Sequence, residues 1–114
     1  MTSDTFSNRF DPAEYADDEP VHVFIPDGGD KWVPERIWGR LVNLGRAYET
    51  HLLPLLPASS APQSLNDQQV ANLIDEVEFI ASVVNDRLVI ESVADLLPLL
   101  AEARHHKVLV IEGA

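Results

Sequence analysis

The chain of 114 residues contains no cysteine. That absence excludes disulfide scaffolds, thiolate zinc sites, cysteine-ligated iron–sulfur clusters and cysteine nucleophiles. Long apolar runs are missing too. The longest, residues 52–58, is short and interrupted by Pro54 and Pro57, so no segment is expected to span a membrane. Residues 1–20 have neither a basic start nor an apolar stretch, and no signal peptide is expected. Positive charge is scarce: 8 Lys and Arg stand against 19 Asp and Glu, for a formal net charge of -11. Binding phosphates takes a basic footprint, so neither nucleic acid nor an anionic membrane surface is an expected partner. Spacing reveals no glycine phosphate loop, nucleophile–base pair or paired catalytic carboxylates. The chain is therefore expected to be non-catalytic, without cofactor or metal, and cytoplasmic.

Hydrophobic residues make up 46% of the chain and charged residues 24%, which are globular values. A chain of this length hides roughly two thirds of its unfolded surface, enough for one domain without a staple. The charge is unevenly placed. Residues 1–20 carry six acids against Arg9; residues 21–63 are neutral; residues 64–114 carry nine acids against Arg87, Arg104 and Lys107. A neutral stretch between two acidic ones points to a basic protein, or a basic cleft, as the partner. Acidity serving only solubility is the alternative of equal weight.

The first 20 residues are polar and without period, which reads as an acidic mobile arm ahead of a single domain over 21–114. Val21, His22, Val23, Phe24 and Ile25 form a β-prone run, and Asp27-Gly28-Gly29-Asp30 is turn chemistry with two glycines free to take positive φ. Lys31, Trp32 and Val33 read as the return arm of a hairpin. Ile37, Leu41, Leu44, Tyr48 and Leu52 then recur at helical spacing, predicting a helix over 35–53 that ends before Pro54. Residues 54–64 read as a linker.

The best-defined element follows. Asn66 and Gln69 are placed as a capping box, and Val70, Leu73, Ile74, Val77, Ile80, Ala81 and Val84 fall within a sector of roughly 120°. This predicts a central helix over 67–85. Residues 87–91 read equally as a strand or a short helix. A helix over 96–105 is expected to start from Asp95, which would put Pro98 at its third position, where a proline is tolerated. Val108, Leu109, Val110 and Ile111 are apolar at every position, predicting a strand over 107–112 interior to a sheet. The expected fold class is α+β, with two or three helices packed on a small β-sheet.

Four constellations bear on function. His105 and His106 near Glu102 resemble a metal pair, but neighbouring histidines on a helix point about 100° apart, and a cationic helix end is the better reading. Asp27-Gly28-Gly29-Asp30 lacks the alternating acids and closing glutamate of a calcium loop. Glu91-Ser92-Val93 shares one of three residues with the carrier-protein attachment site, and Ser92 reads instead as a cap or turn residue. The fourth is the back of helix 67–85. Opposite the core stripe stand Phe79 at about 180° and Val83 at about 220°, flanked by Asp75, Glu76 and Glu78. Either another element, such as the arm, covers this apolar pair, or Asp75, Glu76, Glu78, Phe79 and Val83 form a partner-binding surface with an apolar centre and an acidic rim.

The acidic helix Asp75-Glu76-Val77-Glu78-Phe79 and the closing strand Val108-Leu109-Val110-Ile111-Glu112 resemble, in style, the small acidic immunity proteins that bacteria make against their own toxins. The resemblance implies occlusion, in which carboxylates meet a toxin's basic cleft and an aromatic anchors the contact. A phage-type DNA mimic that inhibits a defence nuclease, and a small acidic domain with an enzymatic or structural role, remain the other readings.

Overall fold

The computed structural model describes residues 20–56 and 62–113. The first strand and its partner, β1 (Val21–Phe24) and β2 (Asp30–Val33), form the expected hairpin. Its turn is made differently from the expectation. Asp27, not a glycine, takes the left-handed conformation at φ 63°, and no glycine has positive φ among the described residues. The reason for glycine at 28 is space, since a Cβ there would lie 2.9 Å from Ile25 Cγ2.

Helix α1 (Glu35–Ala47) starts from Pro34, whose carbonyl accepts from Ile37 and Trp38. It ends six residues before the predicted boundary. Glu49 takes a left-handed φ of 60°, the Thr50 N–H donates to the Gly45 carbonyl, and the Glu49 N–H donates to the Arg46 carbonyl. This is the Schellman closure usually built on glycine, here on a glutamate. A 3-10 turn (Leu53–Leu55) follows. The predicted linker over 54–64 is shorter than expected, because β3 (Gln63–Asn66) begins within it.

Helix α2 (Asp67–Val83) is the predicted central helix. The Asn66–Gln69 capping box is complete, and Val70, Leu73, Val77 and Ile80 are buried. Helix α3 (Arg87–His106) corrects the reading of residues 87–105. It is continuous and starts from Asp86, whose Oδ1 accepts from the Leu88 and Val89 N–H groups. Asp95 is no cap; it is buried mid-helix together with Ser92. Pro98 lies inside the helix. Its missing N–H would have served the carbonyl of Ala94, an exposed residue whose backbone water can reach. Strand β4 (Val108–Glu112) closes the described chain.

The strands form one antiparallel sheet in the order β2-β1-β4-β3. β4 is interior, as its all-apolar run predicts. Cross-strand partners share a face, so the register Val21↔Val33, Val23↔Ile111 and Leu65↔Leu109 collects one apolar side. All three helices of the described residues contribute to the same core as that side, Ile37 and Leu41 from α1, Val77 from α2 and Leu96 from α3. The fold is α+β, a helical layer on a four-stranded sheet. The expected arm over 1–20 lies outside the described residues apart from Pro20.

Candidate functional site

The outward side of α2 is set by its stripe: once Val70, Leu73, Val77 and Ile80 turn inward, Asp75, Glu78, Phe79 and Val83 are left exposed. Asn72, Asp75, Phe79 and Val83 follow one another along the helix at three- and four-residue spacing, which makes a second line on its surface. This line runs beside the end of α1. There Tyr48, counted by the sequence pattern among the core stripe, is instead exposed. The Schellman closure at Glu49 explains why: the chain turns away before Tyr48 can be covered.

Tyr48 and Phe79 meet edge to face, ring centroids 5.7 Å apart at 83°. Phe79 remains 46% exposed and Val83 42%, so Tyr48 supports the aromatic without hiding it. Two depressions flank the pair. One, of about 530 Å³, runs from Leu44 of α1 and Tyr48 just past its end to Val83, Val84 and Asp86 at the α2–α3 connection. Its far wall is fixed by a single carboxylate used twice. Asp86 caps α3 through Oδ1, and its Oδ2 pairs with Arg40 at 2.8 Å. The other, of about 450 Å³, lies between His51 and Leu52 and the Gln69, Asn72 and Asp75 side chains.

Among the expected rim carboxylates, Glu76 stands apart. Its two oxygens accept from the backbone N–H groups of His51 (3.2 Å), Leu52 (3.0 Å) and Leu53 (2.8 Å). These are the groups that open the 3-10 turn, and a carboxylate there complements both their orphan donors and the local dipole. Glu76 therefore joins α2 to the connection after α1, while Asp75 and Glu78 face solvent. Sequence reasoning had no signal for this, because nothing in the chain between 48 and 56 announces a carboxylate from α2.

The remaining constellations take structural places. His106 Nε2 is 3.8 Å from Glu102 Oε2 at the α3 C-terminus, and Lys107 ends the helix with φ 65°. No group of three or more metal-ligating side chains gathers among the described residues. Ser92, 1% exposed, is out of reach for attachment of any carrier group and is neither cap nor turn. No helix among the described residues is long and apolar enough to cross a membrane.

The chain matches no protein-family model, and no curated protein or solved structure is detectably similar to it.

Proposed function

We propose that the chain is a non-catalytic inhibitor that binds a basic protein partner and occludes it, in the manner of a bacterial toxin-immunity protein acting in the cytoplasm. The observation that supports this reading best is the Tyr48–Phe79 pair. Two aromatic rings held edge to face yet left exposed, with Val83 one turn along, form an apolar centre. Asp75 and Glu78 supply a carboxylate rim, and the depressions on either side give a partner's side chains somewhere to go. Interfaces are anchored by such buried-on-binding aromatics, while rim charges steer the encounter. Commitment of Glu76 to backbone amides takes one carboxylate out of the rim. That weighs against a DNA mimic, which needs carboxylates in regular rows.

The test is kinetic. A partner captured from the native host on the immobilised chain is purified, and association is followed at about 50 mM and about 500 mM salt, a range over which screening changes strongly. Asp75→Ala and Glu78→Ala will slow association and flatten its salt dependence, whereas Phe79→Ala will speed dissociation, with a loss of roughly 2 kcal/mol or more. An association rate indifferent to salt would remove the acidic rim from the mechanism. Unfolding of the Phe79→Ala protein without weakened binding would return Phe79 to the core.

A further inference from the structure

The sheet has a second side. With Val21, Val23, Leu109 and Ile111 turned toward the helices, the register places His22 beside Trp32 on one flank and Glu112 on the other, and Phe24 beside Asp30. No lysine or arginine falls on this face in any of the four strands. Its strongest feature is a column of three rings. His22 stacks on Trp32 with centroids 3.8 Å apart and planes within 5°, and on Phe24 at 4.5 Å and 22°. Trp32 sits on β2, an edge strand. One face of its indole is taken by His22, the other turns away from the sheet, and the residue is 50% exposed.

Asp30 stands two residues earlier on the same side of the same strand, its side chain 53% exposed. Its Oδ2 lies 2.9 Å from His22 Nε2. A carboxylate only accepts, so Nε2 carries the proton and donates. The histidine thus fixes indole and carboxylate relative to each other, with Glu112 Oε2 3.8 Å from its Nδ1 on the far side.

We propose that this outer sheet face is a separate binding surface for an arginine side chain of a basic protein, the guanidinium lying on the outward indole face of Trp32 and pairing with Asp30. The chemistry selects arginine. A guanidinium is flat, stacks on an indole while presenting N–H donors in its own plane, and is weakly hydrated; an ammonium is a compact, strongly hydrated point charge that cannot stack. Rings already held by stacking have little freedom left to lose on binding. The surface does not depend on the α2 face and stands or falls apart from it.

The test uses the full chain and an acetylated, amidated Gly-Arg-Gly peptide, with Gly-Lys-Gly as comparison, followed by NMR. The chain has two tryptophans, and the other is a built-in reference: Trp38 is buried, its indole N–H bonded at 2.8 Å to the Leu56 carbonyl. The arginine peptide will shift the Trp32 indole signal saturably and leave Trp38 in place, and the lysine peptide will bind about tenfold more weakly. Asp30→Asn, which keeps an acceptor for His22 but removes the charge, will weaken binding severalfold. Trp32→Leu, read on the His22 and Asp30 amides and checked by an unchanged melting temperature, will abolish it. Phe79→Ala will leave it untouched. Equal binding of both peptides would reduce the face to unspecific charge and overturn the proposal. So would a Trp32 shielded from acrylamide quenching in the free chain, whether by residues 1–19 or by a second copy, or peptide shifts confined to Asp75 and Glu78.

Discussion

Replacing Glu76 with alanine removes one acceptor group from three consecutive backbone donors. Leu53 N–H, at 2.8 Å, makes the shortest of the contacts, and Leu52 N–H reaches both oxygens at 3.2 and 3.0 Å. Hydrogen bonds to a charged partner contribute about 1.5–3 kcal/mol each when one end is simply deleted. The three are not additive here. They share a single carboxylate, and the His51 amide is exposed and rehydrates once released. The two part-buried donors carry the effect, and a loss of about 2–3 kcal/mol is expected. In a domain of this size that lowers the melting temperature by about 10 °C. The damage will be local as well as global. Leu53 is fully buried, and the position of its Cδ2 is what a Cβ on Gly45 would strike at 2.9 Å. Freeing the turn therefore loosens the contact between residues 53–55 and α1. Glu76→Gln keeps one acceptor oxygen and will lose about half as much, while Asp75→Ala, one residue away and exposed, will stay within about 0.5 kcal/mol of the parent. Thermal and urea unfolding followed by circular dichroism measure all three. If Glu76→Ala melts together with Asp75→Ala, the carboxylate does not hold the turn, and Glu76 returns to the acidic rim.

Three further outcomes are expected. Val77 is 1% exposed, so Val77→Asp will bury an unpaired charge and destabilise by several kcal/mol, roughly 3–5; an unchanged melting temperature would mean the α2 stripe is not buried. The two glycines of α1 should respond with opposite sign: nothing lies within 4 Å of a Cβ on Gly39, and Gly39→Ala will stabilise by about 0.5–1 kcal/mol, whereas Gly45→Ala, meeting Leu53 Cδ2 and Thr50 Oγ1 at 2.9 Å, will destabilise by about 1–3 kcal/mol in the same denaturation assay. Amide exchange will be slowest in β4, where Val110 and Ile111 are paired on both sides by β1 and β3 and the buried Leu109 is paired by β3, and rapid exchange at Leu109 and Val110 would contradict the interior place of β4.

The elements legible in the sequence were those specified by local patterns that tertiary contacts did not alter. The α2 stripe and its capping box, the β1–β2 run and the all-apolar β4 needed no partner to be recognised. β3 was not legible, because Gln63, Ser64 and Asn66 are polar and only Leu65 enters the core; pairing with β4 makes these residues a strand. The α3 boundary was misplaced because Pro98 argued for a late start. Joined to residues 92–103, the buried Val89 belongs to one continuous stripe that outweighs one missing hydrogen bond. The end of α1 was misplaced because Glu49 fills a position where glycine would have signalled the stop. In the candidate site, Phe79 and Val83 stood out as apolar residues off the stripe and are exposed. Tyr48 beside them, and the inward duty of Glu76, came from a segment whose path no pattern encodes.

The interior position of β4 also governs the order in which the fold can assemble. Pairing His22 with Glu112 joins residues about 90 positions apart, and that closure entropy must be met before the contacts repay it. The β1–β2 hairpin is too small to persist alone, and among the described residues β3 has no neighbour other than β4. Helices α2 and α3, consecutive and in extensive contact, are the part whose interactions are local enough to form early. They deliver β4 directly from the C-terminal end of α3 through the single residue Lys107. Only then do β1 and β3 acquire the strand that joins them, Val23 pairing with Ile111 and Leu65 with Leu109. An emerging chain that has not yet presented residues 108–112 thus carries two open strand edges and an unclosed apolar face, the state most exposed to unwanted association. Closure of the sheet is a single event, set by the strand that arrives after all the others described.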